Sequence, residues 1–428
     1  MSAATAAPMS VVLRYWRDRA LWTTIADVFA ILAALTLPWS TSLVAIFTAC
    51  WLGSVAWVMD WGAYVRSLKQ PICYLPLALV GLAVIGTLWS DAAWSARLYA
   101  VSPTLKLLVL PGLFYHFERS SRGLWVLIAF LASCALLMLM SWIVVFYPGI
   151  SLKPPEEASR GIVVKNYIAQ SQEFALCAVV LAYPAIGLLR ANKIRQALAL
   201  GAISLGFVAN MVFVIVSRTA MVTMPIMLAV FAMMHLKRRT NLILLACFFV
   251  FGALAWTVSP QLQATTERFT EEYQLYMEQN IPTSIGLRLE YWRKSLSFFA
   301  EAPLIGHGTG ATRGLFERAA THGSYQASSE VIGNPHNQTL NVAVQWGTVG
   351  VVLLYAMWLV HLLLFRGEGL AAWIGLLVVV QNIFTSLFNS HIFDFHEGWM
   401  YVLGVGIAGG MTLAAKRRDL PADPARSR

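Results

Sequence analysis

The sequence predicts an all-α polytopic membrane protein, with about twelve transmembrane helices and one large helical loop, outward-facing by charge, between helices 9 and 10. Three observations predict it. Of 428 residues, 58% are hydrophobic and 12% charged, about half the charge of an ordinary soluble domain, too little to coat a fold of this size. Mean hydropathy is +0.65, and apolar runs of about 20 residues, the length that crosses a bilayer, recur along the chain. The formal charge of +10 sits in short clusters between those runs, which suits cytoplasmic flanks rather than a nucleic-acid surface. A soluble enzyme, a secreted disulfide scaffold and a disordered chain are excluded, and no nucleic-acid partner is expected.

The runs predict spans at 20–38, 40–59, 72–90, 98–117, 124–147, 171–189, 196–217, 219–236, 241–258, 337–365, 370–389 and 399–415. The first follows Arg14, Arg17 and Arg19 as a signal peptide would, but no cleavage site closes it and it is read as a retained helix. With the N-terminus inside, nineteen of the 31 basic residues fall on cytoplasmic segments or termini, among them Arg66, Lys69, Arg190, Lys193, Lys237, Arg238, Arg239 and the tail from Lys416. Both termini are therefore expected in the cytoplasm. Cys50, Cys73, Cys134, Cys177 and Cys247 all lie inside apolar runs, with no spacing for a disulfide frame or a zinc site, and read as small apolar filler.

Four regions follow: helices 1–9 over 1–258, a loop with amphipathic helices over 259–336, helices 10–12 over 337–415, and a basic tail over 416–428. The loop carries helical periodicity at 261–279 and 287–300 and a turn-rich Gly306-x-Gly308-x-Gly310. Loops of this length with their own periodicity are usually functional.

Arg218 is the sharpest anomaly. Between Arg195 and Lys237 lie 41 residues with no other charged side chain, so the stretch crosses twice and turns at Arg218 with almost no loop. An arginine at such a turn is expensive unless it meets an anion, or snorkels to headgroups. His336 lies where the loop enters the tenth helix, with Asn334 as expected N-cap and Pro335 at the first helical position. A positive helix end keeps the imidazole neutral and able to accept a proton, although a capping or solvent-facing histidine is the commoner case. Arg288 shares a helical face with Tyr291 and Trp292; it suits a phosphate or sugar, although a surface ion pair with Glu290 or another loop acid is the commoner case. His391, Asp394, His396 and Glu397 offer metal-type ligands without a standard spacing. Asp27 and Lys106 fall inside spans, as a structural pair or part of an ion path. Glu173 is read as solvated at the outer surface. The glycine triplet lacks a preceding strand and reads as a turn, not a dinucleotide site.

The order of these residues resembles the O-antigen ligase and polymerase superfamily of bacterial envelope glycosyltransferases. Ser217-Arg218-Thr219-Ala220 precedes two spans and the loop; within the loop come Arg288, Trp292, Phe299, Pro303 and Gly306-x-Gly308, and His336-Asn337 open the next helix. The resemblance covers about 160–390 and is closest to the O-antigen ligase. It implies an undecaprenyl-diphosphate-linked glycan as donor, lipid A–core oligosaccharide as acceptor, a periplasmic site on the bacterial inner membrane, and membrane lipids as surroundings. His336 is then the base, and Arg218 and Arg288 stabilise the diphosphate leaving group. Arg160, Lys165, Asn337 and Trp292 are implied in substrate binding, with simple flank charge the equal alternative for Arg160 and Lys165. No cofactor is implied, and the lack of a D-x-D motif in the outward segments fits a metal-independent, inverting transfer. A polymerase of the same superfamily is the near alternative. A twelve-helix lipid or sugar transporter is the distant one, but it would show repeat symmetry and midplane polar residues, whereas here the anomalies gather at one face of the second half.

Overall fold

The computed structural model describes residues 18–151, 153–235, 237–321 and 326–419. Arg14 and Arg17, and the tail from 420 with Arg426 and Arg428, lie outside them. Among the described residues the chain is helical, with no strand. Every predicted span falls on an apolar helix, yet the spans are of unequal kind. Among the described residues eight helices are by themselves long and apolar enough to cross a membrane, ten if two bent pairs each count once. Arg218–Met234 and Leu370–Thr385 are shorter apolar helices. The irregularity has local causes. Trp61–Ser67 and Pro71–Ile85 meet at 82°, where Pro71 starts the second helix. The span Trp94–Phe117 passes through a 3-10 segment, Ser102–Val109, at Pro103. Gln338–Leu364 is kinked at Gly347, whose φ is 60°.

The bundle core joins Trp51, Phe114, Phe117, Phe174, Phe207 and Trp346, all buried. Large apolar side chains such as Ile46, Trp57, Leu198 and Phe249 stay exposed on the outer helix faces, as lipid contact requires. Asp27 and Lys106 do not pair with each other. Asp27 accepts hydrogen bonds from Ser120, His116 and Arg122, and Lys106 donates to the carbonyls of Phe393 and Asp394. Glu173 is not solvated: it is 1% exposed, because its helix Tyr167–Val180 is packed on nearly all sides.

The 259–336 connection folds as helices Pro260–Gln279, Ser284–Glu301 and Thr312–Arg318. Its own small core holds Tyr291, Phe298, Leu315 and Phe316, with Trp292 packed against it. The glycine triplet is a docking turn. Gly306 and Gly308 adopt positive φ, and a Cβ on either would strike backbone, of Gln345 and Ser90 respectively. The kink at Gly347 complements it. Carbonyls of Val344 and Gln345 accept from the His307 and Gly308 amides, and the Thr348 amide donates to the Pro303 carbonyl. The connection is thereby latched to a membrane helix at main-chain level.

Candidate active site

Ile194–Phe213 ends at Val214 and Arg218–His235 begins at residue 218, the tight turn expected from charge spacing. The Arg218 side chain does meet an anion. Its Nη2 donates to Glu272 Oε1 at 2.8 Å and its Nη1 to Oε2 at 3.3 Å, a two-point, charge-assisted pair. Glu272 is held in turn: its Oε2 accepts from the Ile285 amide at 3.1 Å, and its carbonyl accepts from Thr283 Oγ1 at 2.8 Å. Thr283 also caps Ser284–Glu301, accepting from the Gly286 amide. One glutamate therefore fastens the start of the Arg288 helix to the Arg218 turn.

A cavity of about 200 Å³ opens beside this pair. Arg160, Tyr167, Arg218, Arg268, Glu272 and Arg288 line it, with Ser217 and Thr219 at the start of the Arg218 helix. Four guanidiniums face one carboxylate there. Ser217 Oγ is buried without a hydrogen-bond partner. The first amides of a helix lack intrahelical acceptors and favour an anion. Arg288 is half-buried. Burial is the main cause that pulls its guanidinium below the usual arginine value; Tyr167 opposes this, Arg218 adds to it, and Glu272 opposes it again. The surface pairing of Arg288 with Glu290 does not occur, because Glu290 is taken by Arg293, at 2.6 and 2.9 Å, and by Lys294.

His336 belongs to the segment that leads into Gln338–Leu364. It does not line the cavity; its ring lies 6.1 Å from that of Tyr291, three residues after Arg288. The N-cap of Gln338–Leu364 is Asn337, which accepts from the Leu340 amide at 3.1 Å, not Asn334. Asn334 is used otherwise: its Oδ1 accepts from the His336 amide at 3.0 Å and from Ser390 Oγ at 2.7 Å. His336 thus precedes the helix, in the left-handed region with φ 53°. Its neutrality comes from burial, which lowers its pKa; the Asn389 hydrogen bond opposes that and the Arg288 charge adds to it.

The imidazole is oriented by a chain of contacts. Asn389 Nδ2 donates to Asp394 Oδ2 at 2.6 Å, which turns Asn389 Oδ1 toward His336 Nδ1 at 2.9 Å. Because that oxygen only accepts, Nδ1 carries the proton and Nε2 keeps its lone pair. Burial pushes the Asp394 carboxyl up to about 6, against the pull of Lys106. His391 is nearby, 1% exposed and with both ring nitrogens unpartnered; burial, then Arg288 and His336, push it down to about 3.

The remaining expectations divide. Arg160 reaches the cavity, over the Tyr167 ring at 5.4 Å. Lys165 does not: it donates to the Leu37 carbonyl and lies 2.6 Å from His396 Nδ1, inside the bundle. Asn337 is committed to its cap and to the Leu387 carbonyl. Trp292 packs in the loop core, and Tyr291 is the aromatic neighbour of His336. The four metal-type residues near 391–397 diverge, and among the described residues no group of three or more His, Cys, Asp or Glu could hold a metal ion. Arg268, Glu272, Asn389 and Asp394 were not singled out for these roles by the sequence pattern.

A protein-family model described as O-antigen ligase matches residues 203–355, a stretch that includes Arg218, Arg288 and His336. The match supports the superfamily resemblance and a glycosyltransferase-type enzyme in a multi-pass bacterial membrane protein. No curated protein sequence matches the chain.

Proposed function

We propose that the protein is an O-antigen ligase that transfers a glycan from undecaprenyl diphosphate to lipid A–core oligosaccharide at the periplasmic face of the inner membrane, with both termini in the cytoplasm. The observation that carries this reading is a cavity lined by four arginines and one carboxylate, together with a half-buried histidine whose ring lies 6.1 Å from that of Tyr291, three residues after Arg288, and whose Nε2 has no hydrogen-bond partner among the described residues. The basic cavity suits a diphosphate, and the histidine suits an attacking hydroxyl.

In this reading the acceptor hydroxyl gives its proton to His336 Nε2 while its oxygen forms the bond to the anomeric carbon. The bond from that carbon to the phosphate oxygen breaks, and undecaprenyl diphosphate leaves with the electron pair. One displacement inverts the anomeric centre. Negative charge builds on the leaving phosphate, where Arg218 and Arg288 stabilise it as preorganised donors. Glu272 holds Arg218 in place rather than touching substrate. Because guanidinium groups carry that charge, transfer is expected to persist in chelator.

The test is reconstitution of the purified protein with lipid-linked glycan and lipid A–core, with product masses measured with and without EDTA. Glycan joined to the core supports the ligase. Glycan lengthened on its lipid carrier identifies a polymerase, and loss of transfer in EDTA with rescue by a divalent ion overturns the arginine-only account.

A further inference from the structure

The helix that brings Arg268 and Glu272 to the cavity has a second face that the reaction does not use. Pro260–Gln279 turns by 91° from the apolar helix Leu245–Val258. The corner is built: Ser259 caps the new helix, accepting from the Leu262 amide at 3.3 Å while donating to the Val212 carbonyl at 2.9 Å. Pro260 opens the helix, and Trp256 Nε1 donates to Thr266 Oγ1 across the bend at 3.2 Å. Phe269, Tyr273 and Met277, spaced by four and so on one face, are 54%, 44% and 61% exposed. Glu267, Glu271 and Glu278 are exposed too, and helical geometry puts them on the opposite side.

We infer that this helix lies in the membrane interface, with Phe269, Tyr273 and Met277 inserted at the boundary between headgroups and acyl chains. A right-angle turn directly after the apolar helix Leu245–Val258 sets the axis along the bilayer plane at interfacial depth, where an apolar stripe backed by charge is stable. The apolar surface continues onto the span, with Trp256 and Val258 also exposed, which favours lipid as the occupant. Docking holds Arg268 and Glu272 at headgroup depth, so a diphosphate reaches the cavity while its lipid stays in the bilayer; this last link rests on the function proposed above.

The test uses the full chain with Cys50→Ser and Cys247→Ser, reconstituted in phosphatidylethanolamine–phosphatidylglycerol vesicles. Nitroxides are placed through Phe269→Cys, Tyr273→Cys and Met277→Cys, with Glu267→Cys and Glu271→Cys as controls. Collision with oxygen exceeding that with a water-soluble nickel chelate at the first three sites, and the reverse at the controls, is the expected result. Nickel access at all five sites overturns the inference, as does shielding of the first three from both reagents, with dipolar broadening where a second copy covers them. A second measurement needs no label. Phe269→Glu with Met277→Glu should lower transfer from bilayer-embedded donor several-fold and leave transfer from detergent-dispersed donor unchanged. Equal transfer in both settings overturns the coupling to the site. No transfer by the unsubstituted protein counts against the proposed function and leaves the collision data to decide the docking.

Discussion

Two charged clusters in this molecule are built on opposite plans. Around Asp27, one buried carboxylate receives Ser120 at 2.7 Å, His116 at 2.9 Å and Arg122 at 3.2 Å, so the group closes on itself. Around Glu272, four arginines share one carboxylate, Arg218 takes it, and among the described residues Arg160, Arg268 and Arg288 form no ion pair. Charge in a membrane protein is costly unless it is matched. The first cluster matches its charge internally and joins helices. The second leaves a positive surplus around a cavity, which is a place for an anion brought from outside.

The comparison breaks most easily at the histidine. His336→Ala should reduce turnover by about 10²–10⁴-fold, the usual worth of a general base, while donor affinity stays near normal; near-normal turnover removes it as the base. Arg218→Lys keeps the charge but loses the planar fork. It should cost about 10²–10³-fold in single-turnover rate, on the scale of one lost charge-stabilising donor, and weaken the hold of Glu272 on the Ser284–Glu301 helix. Asp27→Ala should do the reverse. Turnover per folded molecule is expected to hold, while stability falls by about 1–3 kcal/mol as His116 and Ser120 lose their acceptor, measured by thermal unfolding in detergent. An equal loss of turnover in Asp27→Ala would erase the distinction between the clusters. Arg288→Gln removes a leaving-group donor and should lower turnover as Arg218→Lys does; the smallest signal is its effect on the pH profile. The His336 pKa lies below its ordinary value of 6.5, partly through the Arg288 charge, so the acid limb of the rate profile lies below that pH. Removing a neighbouring cation favours imidazolium and must move the limb to higher pH; an unmoved limb separates Arg288 from His336.

Much of the fold was legible because hydropathy reports burial in lipid directly. The turn at Arg218 followed from counting uncharged residues, and the two loop helices from their periodicity. What failed was choice among similar side chains. Asn334 and Asn337 both suit an N-cap, and only the hydrogen bonds of Asn334 to His336 and Ser390 decide for Asn337. Glu173 resembled a solvated flank because a sequence does not show which helices surround it. Arg218 was legible as an anomaly against an apolar background, whereas Arg288 and His336 stood out only through the ordered resemblance. Glu272 was not legible: in a polar loop an acid is ordinary, and its partner lies 54 residues away. Asn389 is neutral and 53 residues from His336, so no charge pattern points to it.

The link from Asp394 through Asn389 to His336 carries a consequence for where protons travel. It has the outline of a relay, but its middle member is an amide, which orients and does not conduct. A proton taken up at Nε2 has no exit through Nδ1 toward Asp394. It must depart through the same nitrogen, into the space the acceptor hydroxyl occupied. In the proposed reaction the histidine is therefore reset only from the substrate side, after the new glycosidic oxygen has moved away or the departing diphosphate has taken the proton. The catalytic group and the product compete for one doorway, and the order in which they clear it sets when the next cycle can begin.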